Sequence, residues 1–543
     1  MNKLTAAILI IMLAMTGCGK AKPDVPNQTE ITEATTAEAN EVTTEATTPV
    51  YGGTLKMSMR KPHTLNPLLN EDVTVDRALK LIFEPLFVLD EKQQVTPNLA
   101  DGYLLSGDGK SVAISIKNDA KWSDGTPVTA DDLIFSLDTI KSASAASVYK
   151  SALTNVSGYH KESSSTVVIE YSAPYGGCIY NLCFPLIPKH YYDGNNTTSS
   201  PKSLKPLGNG LYTFESYRVV RDMTLKAGGN FRGKPYIENV KVTVMSDKQT
   251  EIDAFEQGLI DVLEVTPEEY GTFNSKNKFN VTPFSSNRFE FLGFNFNNSA
   301  LSNKNIRQAI ACAVPMDNII DNIYLGNAVK SITPVNPQSV LYSEEDLPTY
   351  SYDLNRARAL VAQTGLSTGQ LTFTILVNQE NSERCEIAEL IASELNQIGM
   401  QVTVYRTPFD NYVKLLQNRS YSMFIGGTEL TARADLRSLL ASYSRDSGIN
   451  YFNYADTQMD NMLLSCTNAT SESGYKTALG TLQKYCASQL PLVGLGFKSG
   501  LLLTDADVQG TKIPVTNNIY ANENNWFIEE TETTSTNESE AEQ

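Results

Sequence analysis

One stretch of the chain alternates between strand and helix patterns in a way that few folds accommodate. Residues 371–377 read LTFTILV and residues 400–405 read MQVTVY, two runs rich in strand-forming side chains. Between them, residues 382–398 place apolar side chains such as Ile387 and Leu395 at helical spacing on one face. A strand, a helix and a second strand in this order form a parallel pair within one sheet. The stretch therefore predicts an α/β fold.

A second stretch repeats this plan earlier in the chain. Residues 240–245 (VKVTVM) and 260–265 (IDVLEV) flank a helix pattern over 248–258. Gly258 stands where a C-terminal cap of that helix is expected. Because about a hundred residues separate the two strand–helix–strand stretches, we expect them to lie in two different lobes of the protein.

Composition excludes several classes of function. The 543 residues are 41% apolar with a mean hydropathy of −0.24, which fits a globular protein and excludes a chain that crosses the membrane many times. A net charge of −17 repels phosphate backbones, so we expect no nucleic acid partner. Only three His leave little material for a His-rich metal site or for His-based catalysis. Residues 51–528 carry only −8 of the net charge, so the acidity does not indicate a cationic ligand.

The first 18 residues indicate export. Lys3 precedes an apolar run over 6–15 that is too short for a permanent membrane span and is typical of a secretory signal. The run ends in MTGC at 15–18, which resembles the lipobox of bacterial lipoproteins, with Met15 where Leu is more usual. The resemblance implies that Cys18 is lipidated and anchors the protein to the outer face of the bacterial cell membrane. The alternative is an ordinary signal peptide with an incidental cysteine.

Two flanking segments have the composition of disordered chain. Residues 19–50 are dominated by Thr, Glu and Ala and contain no aromatic residue before Tyr51. Such a segment buries too little apolar area to offset its ordering entropy, so we predict a flexible tether between the membrane and a folded body. Residues 529–543 (EETETTSTNESEAEQ) predict a disordered acidic tail for the same reason.

The remaining cysteines do not indicate a metal site. None of the six forms a CxxC pair, which argues against a zinc ribbon or a thioredoxin motif. Cys178 and Cys183 are close enough in sequence to form a disulfide bond, or both stay free. Cys312 and Cys385 lie within apolar helical patterns and are predicted to be buried free thiols.

Turn and cap residues predict further elements of the folded body. Asp124-Gly125 predicts a tight turn, and Thr129, with Asp132 three residues later, predicts the start of a helix. Residues 303–314 predict a second helix, and residues 352–362 a third that begins after Asp353 and ends before Gly365.

Taken in order, these segments resemble the extracellular solute-binding proteins of ABC importers, in the peptide and nickel family (family 5). The resemblance covers nearly the whole folded body. The matching segments are YGGTLKMSM (51–59), LNP (65–67), PNLADGY (97–103), the long segment from SGDGK to DDLIFSL (106–137), PLGNGLYTFESY (206–217), FLGFNFNN (291–298), NIRQAIACAV (305–314) and YDLNRARAL (352–360).

The resemblance implies a two-lobed α/β fold of the periplasmic-binding-protein type (Venus flytrap, type II, cluster C). Lobe one would comprise residues 51–285 and a returning segment at 495–528, with an extra subdomain at 86–200. Lobe two would comprise residues 286–494, joined to lobe one by two crossovers. The lobes of such proteins close around a solute, and the ligand stabilises the closed state by binding it more tightly than the open one.

The resemblance also implies a set of ligand contacts. The acidic loop after LNP is Asn70-Glu71-Asp72, in which Glu71 is expected to pair with a donor or cation of the ligand and Asn70 to lie beside it. Asn295 and Asn297 match the family segment at the edge of lobe two, where their amides would bond a peptide backbone. The alternative is that the acid is solvated and the amides are satisfied locally.

The segment at 425–440 departs from the family pattern. Peptide-binding members carry an Asp that clamps the α-amino group of the ligand, and here Ala432 falls at that position. Glu429 falls near the usual Trp and could replace the clamp, or the ligand lacks a free amino terminus. In the second case Arg433 becomes a candidate to bind a carboxylate or another anion. Ordinary surface charges are the alternative for both residues.

The expected function is solute binding without catalysis. The sequence contains no HExxH, GxSxG, P-loop or full dinucleotide motif, so we expect no enzyme, no cofactor and no metal. The partners implied by the resemblance are an oligopeptide-like solute and the permease and ATPase subunits of an ABC importer, with the protein itself a monomer. The alternatives are a solute-sensing lipoprotein receptor of the same fold, or a binder of a sugar or, because His63 lies near the acidic loop, of a nickel chelate.

Overall fold

The structure is a computed structural model that describes residues 48–142, 147–195, 197–273 and 279–529. The predicted signal sequence, Cys18 and nearly all of the predicted tether and acidic tail lie outside these residues. Within the described ranges, none of the helices combines the length and the apolar character needed to cross a membrane.

Strands and helices alternate through most of the chain. Up to residue 271 the elements are β1 (Gly52–Met59), α1 (Val73–Leu79), β2 (Phe87–Leu89), β3 (Val95–Pro97), β4 (Ala100–Leu105), β5 (Ser111–Ile116), α2 (Ala130–Ser142), β6 (Val156–Lys161), β7 (Thr166–Tyr171), α3 (Lys189–Tyr192), β8 (Tyr212–Arg218), β9 (Asp222–Ala227), β10 (Ile237–Val244), α4 (Lys248–Glu256), β11 (Val262–Val265) and α5 (Pro267–Gly271). From residue 279 they are β12 (Phe279–Phe294), α6 (Ser299–Ser302), α7 (Lys304–Ala313), α8 (Met316–Asn318), β13 (Ala328–Val329), α9 (Leu354–Thr364), β14 (Thr372–Asn378), α10 (Ser382–Gln397), β15 (Gln401–Thr407), α11 (Phe409–Gln417), β16 (Met423–Glu429), α12 (Arg437–Leu440), α13 (Ser444–Ser447), α14 (Thr457–Thr467), α15 (Glu472–Gln489), β17 (Leu492–Asp505), β18 (Val508–Gln509) and β19 (Phe527–Ile528).

Three sheets organise these elements. The first has the strand order β1-β10-β9-β8, and the second, an antiparallel sheet in the order β4-β5-β7-β6, lies within the predicted extra subdomain. The third has seven strands in the order β11-β17-β12-β16-β14-β15, with β13 added against β17. Helices pack against these sheets, so the predicted α/β class is confirmed.

The long strands β12 and β17 connect separate hydrophobic cores. They pair antiparallel from Phe279 opposite Asp505 to Gly293 opposite Leu492. At one end Phe284 enters the core built around the first two sheets, whereas Leu292 enters a core formed by the helices after residue 299. One antiparallel strand pair therefore carries the chain out of the first core and back into it. The proposed lobe boundaries at 285/286 and 494/495 fall on this pair.

The two predicted strand–helix–strand stretches differ in outcome. The later one is confirmed, because β14 and β15 are parallel neighbours joined by α10. The earlier one has the predicted elements, but its strands lie in different sheets, so the prediction of one parallel pair is wrong. The reason is that β10 is already flanked by β1 and β9, which leaves no free edge, and β11 pairs with β17 instead.

The predicted caps are found at the helix termini. Asp353 accepts hydrogen bonds from the first amides of α9, and Gly365 ends that helix in the left-handed conformation at φ 67°. Asp132 accepts the backbone N–H of Thr129 at 2.8 Å at the start of α2. Asn303 also caps α7, a helix that was predicted without its cap. These short-range signals were readable because a cap involves only neighbouring residues.

All six described cysteines are free thiols, so Cys178 and Cys183 do not form a disulfide bond. Cys312 and Cys385 are buried, as predicted. Cys183 is the only one of the six that is not fully buried.

A cluster of charged side chains lies where β17 crosses between the cores. The buried ammonium group of Lys498 contacts the carboxylates of Glu268, on α5, and Glu383, in the first turn of α10. Burial and the hydrogen bond to Glu268 raise the pKa of Glu383 to about 8. Burial opposes the ionisation of Glu268 as well, but hydrogen bonds from Glu383 and Lys498 outweigh it and lower its pKa to about 2. The two carboxyl groups therefore share one proton at neutral pH.

Replacing Glu383 by Gln should remove a pH dependence of stability. Between about pH 5 and 8 the folded protein keeps a proton on Glu383 that the unfolded chain has released, so the free energy of unfolding falls as the pH rises. One such proton contributes up to about 1.4 kcal/mol per pH unit. Urea unfolding at pH 5.5 and 8.5 should show a smaller loss for Glu383→Gln than for the wild type. Equal losses in the wild type, in Glu383→Gln and in the control Glu386→Gln, an exposed acid of the same helix, would contradict the shared proton.

Candidate functional site

A cavity of about 360 Å³ opens beside the acidic loop that precedes α1. The loop satisfies most of its own polar groups: the Asn70 amide donates to the Asp72 carbonyl at 2.7 Å, and the Asp72 carboxylate caps α1 through the amides of Thr74 and Val75. Among the described residues, Glu71 has no hydrogen-bond or ion-pair partner. The loop therefore presents one uncommitted carboxylate to the cavity. The cavity is lined by Asn70, Glu71, Asp72, Val73, Asp76, Arg77, Lys80, Val148, Tyr149, Cys183, Glu264, Thr516, Asn517 and Ile519.

A second, more enclosed cavity of about 190 Å³ adjoins the first. The two are immediate neighbours because they share five lining residues: Asp76, Lys80, Tyr149, Cys183 and Asn517. Its walls are largely apolar and include Leu79, Phe83, Val88, Leu89 and Val515. An apolar cavity of about 150 Å³ holds a benzene-sized group, so this space accommodates one large apolar side chain.

The base of the enclosed cavity is a buried charge network. Arg232 bridges Glu84 and Glu523 at 3.0 Å to each, and the Asn98 amide donates to Glu84 at 2.8 Å. Burial by itself lowers the pKa of Arg232, but the two carboxylates outweigh it and raise the pKa above its usual value. Burial raises the pKa of Glu523, and Arg232 opposes that rise. These groups form ion pairs and hydrogen bonds with one another and are part of the cavity wall.

Tyr149 lies at the junction of the two cavities. Its hydroxyl donates to the Asp76 carboxylate at 3.3 Å, and the ammonium of Lys80 pairs with the same carboxylate at 2.6 Å. Burial and the Asp76 carboxylate raise the pKa of Tyr149 well above its ordinary value, so the hydroxyl stays protonated. The sequence analysis missed this residue. Its signal was its position in a Ser- and Ala-rich stretch outside any strand pattern, where packing is not the default role of a tyrosine.

Every residue that lines the two cavities falls in predicted lobe one or its extra subdomain. Of the six predicted contacts, Asn70 and Glu71 line them, and Asn295, Asn297, Glu429 and Arg433 do not. The Thr516 hydroxyl, in the cavity wall, donates to the Ser285 carbonyl at 3.0 Å, on the crossing strand β12.

Glu429 lies at the end of β16. It pairs directly opposite Arg288 of β12, three residues beyond Ser285 along the chain. Glu429 is exposed to solvent, yet partial burial by neighbouring protein raises the pKa of its carboxyl, and Arg288 opposes that rise. Its contact with the ligand stays a prediction.

The two predicted asparagine contacts lie at the opposite end of the strands. Seven residues of β12 separate Arg288 from Asn295, a distance of about 23 Å. The Asn295 amide is buried and donates to the carbonyls of Arg419 and Tyr421 at 2.9 and 2.8 Å. The exposed Asn297 accepts from the Asn453 amide at 2.6 Å. Both amides are therefore bonded within the protein, and their contact with a ligand stays a prediction.

Arg433 is also committed within the protein. It is 4% exposed, and its guanidinium donates to the Gly176 carbonyl at 2.8 and 3.2 Å, to the Tyr175 hydroxyl at 3.0 Å and to the Asp435 carboxylate at 3.1 Å. All three nitrogens of the group are used. The structure therefore gives Arg433 a role in packing, and its predicted role in binding an anion of the ligand stays untested.

Within the described residues, no group of three or more His, Cys, Asp and Glu side chains is placed to hold a metal ion. His63 lies in an open recess together with Asn70 and Glu71.

Comparison with known proteins identifies the family. Residues 94–449 match the family described as bacterial extracellular solute-binding proteins, family 5 Middle, and the chain belongs to this family. It has the two-lobed α/β fold of its members.

Individual relatives agree with this assignment. The oligopeptide-binding protein AppA of Bacillus subtilis is 22% identical over 503 residues, which cover 88% of this chain and 92% of AppA. Among solved structures, the ABC transporter substrate-binding protein CtaP of Listeria monocytogenes has a TM-score of 0.76 at 22% identity, covering 88% of this chain and 100% of that one. The B. subtilis AppA structure, in complex with a nonapeptide, has a TM-score of 0.63 at 22% identity and covers 89% and 100%.

The two asparagines should differ in their effect on stability. Asn295→Ala leaves two partly buried carbonyls without this donor, which we expect to cost about 1–3 kcal/mol in the free energy of unfolding. Asn297→Ala removes one exposed contact and should change it by less than about 0.5 kcal/mol. Chemical denaturation measures both. The structural role of Asn295 would be refuted by an unchanged free energy of unfolding in Asn295→Ala.

Proposed function

We propose that this protein captures an oligopeptide-like solute beside Glu71 and delivers it to the permease and ATPase subunits of an ABC importer. The observation that carries the proposal is the Glu71 carboxylate, which has no hydrogen-bond or ion-pair partner among the described residues. It lines the same cavity as Tyr149, and this cavity adjoins a more enclosed, largely apolar one. A carboxylate, an aromatic hydroxyl and an apolar side-chain cavity match the amine, amide and side-chain chemistry of a peptide.

Family membership supports the transport role, and the named relatives support the solute class. AppA of Bacillus subtilis is an oligopeptide-binding protein, and its structure contains a nonapeptide. In this chain Ala432 replaces the acid that clamps the α-amino group in similar proteins, so the amine of the ligand would pair with Glu71 instead. Glu429 would face the solute from lobe two when the lobes close.

A nickel chelate is the second candidate solute. His63, Asn70 and Glu71 line one open recess, which offers one imidazole and one carboxylate to a metal complex. A sugar, or a receptor role with a signalling partner, uses the same fold. The peptide remains the first proposal because the largely apolar wall of the enclosed cavity does not complement a small hydrophilic chelate.

Native mass spectrometry of the purified protein tests the solute class directly. We expect co-purified masses that fragment as peptides, and heat release when a mixed peptide pool is added in a calorimeter. A co-purified sugar or metal complex, together with no heat from the peptide pool, would overturn the peptide assignment.

Substituting Glu71 should weaken peptide binding. A hydrogen bond to a charged group contributes about 1.5–3 kcal/mol, so Glu71→Gln should raise the dissociation constant for a peptide about tenfold or more. Glu215→Gln, which neutralises an exposed acid on β8, is the matched control and should bind like the wild type. Equal calorimetric affinities for Glu71→Gln and the control would remove Glu71 from the site.

The tether and lipid anchor are part of the proposal. Acyl chains contribute about 0.8 kcal/mol per buried CH₂ group, so a multiply acylated Cys18 would hold the protein firmly at the membrane. Cys18→Ala should release the protein into the medium or leave its signal sequence uncleaved. Fractionation followed by immunoblotting measures this, and unchanged membrane retention of a processed protein would argue against lipidation.

A further inference from the structure

Arg433 joins two parts of the chain that are far apart in sequence. It follows β16 in predicted lobe two, yet two of its partners, Tyr175 and Gly176, belong to the predicted extra subdomain of lobe one. Its guanidinium lies 4.4 Å from the ring centre of Tyr175 and 5.5 Å from that of Tyr475. A buried guanidinium between two rings, with every nitrogen hydrogen-bonded, is one of the few ways to keep this charge out of water.

The backbone of Gly176 packs closely against the end of α14. The Gly176 amide donates to the Thr467 carbonyl at 2.7 Å, at the end of α14. A Cβ atom on Gly176 would lie 2.5 Å from the Cys466 carbonyl oxygen, so only glycine fits this position. The Tyr475 hydroxyl, on α15, donates to the Arg433 carbonyl. The turn at Tyr175 and Gly176 is thus held by lobe-two groups on both of its sides.

Hydrogen bonds connect this contact to the solute cavity. The Tyr175 hydroxyl accepts from Arg433 and, at 2.7 Å, from the Asn181 amide. The same amide donates to the Ser151 carbonyl at 3.0 Å, two residues after Tyr149. In addition, a short 3₁₀ helix runs from Cys178 to Leu182 and leads directly into Cys183, which lines both cavities.

We infer that Arg433 is a positioning residue for solute binding: by holding Tyr175 and Gly176 against lobe two, it sets the places of Tyr149 and Cys183 in the cavity wall. The meaning of this coupling for transport rests on the proposed function, whereas the coupling itself is a property of the protein without solute. No other cation suits the position. A lysine has a single ammonium, which replaces neither the paired bonds to the Gly176 carbonyl nor the stacking between two rings.

The rate at which the Cys183 thiol is labelled measures whether the cavity wall keeps its position. Burial raises the pKa of this thiol to about 12, so it should react slowly with iodoacetamide in the wild type. The other five described cysteines are buried and serve as internal references in the same mass spectrum. Labelling is measured on the full chain without any solute.

We expect Arg433→Met to accelerate labelling of Cys183 at least tenfold. Arg433→Lys should not restore the wild-type rate. The matched control is Arg437→Met, because Arg437 pairs with the same Asp435 but makes no hydrogen bond to the described residues of the extra subdomain. Its labelling rate should stay within twofold of the wild type. An unchanged Cys183 rate in an Arg433→Met protein with wild-type far-UV circular dichroism would overturn the inference.

A milder variant covers the case in which Arg433→Met does not fold. Tyr175→Phe keeps the ring against the guanidinium and removes only the hydroxyl that joins Arg433 to Asn181. Labelling of Cys183 should then rise about threefold, and a rate equal to the wild type would refute the hydrogen-bonded link. Because these rates need no solute, they fail or succeed independently of peptide binding in the calorimeter, which tests the proposed function.

Discussion

The antiparallel pairing of β12 with β17 is the constraint on which the rest of the structure depends. It is the longest strand pair described, from Phe279 to Gly293 on one strand. Register shifts between Ser285 and Phe289 and between Glu290 and Phe291 interrupt it where the chain passes from one core to the next. Bulges bend and twist a strand, so the direction of the strand pair changes at this point.

The candidate site takes its position from this crossing. The returning loop after β17 carries Thr516, which is tied to the Ser285 carbonyl and forms one wall of the cavity. The neighbouring strand β16 pairs with β12 and ends at Glu429, opposite Arg288. The shared proton of Glu268 and Glu383 lies beside Lys498 of β17. The candidate site is therefore joined to the crossing strands through Thr516 and Ser285.

Helix caps and strand pairs formed by neighbouring segments could be predicted from the sequence. Strand pairs between segments far apart in the sequence could not. The caps of α9 and the parallel pair β14 and β15 involve groups within about 35 residues, and all were predicted correctly. The partner of β11 depends on which sheet edges other strands already occupy. The spacing of apolar residues in the sequence contains no information about those edges. The same reason explains the error over the 240–265 stretch.

The predicted site residues show the same difference between local and long-range information. Glu71 could be proposed because the resemblance to the family marks the loop, and its neighbours Asn70 and Asp72 form hydrogen bonds within that loop. Arg433 looked like a free cation, since nothing near it in sequence reveals that Tyr175, more than 250 residues earlier, stacks on it. An isolated charge in a sequence does not show whether it faces solvent or a partner brought there by the fold.

The proposed solute site is the cavity lined by Glu71 and Tyr149. Hydrogen–deuterium exchange, compared with and without a saturating mixed peptide pool, measures whether peptide covers this cavity. Bound peptide should slow amide exchange at residues 70–75 and 149–153. Binding heat from the same pool with unchanged exchange in both segments, and slowing confined to lobe-two residues such as 426–432, would show that the solute binds elsewhere.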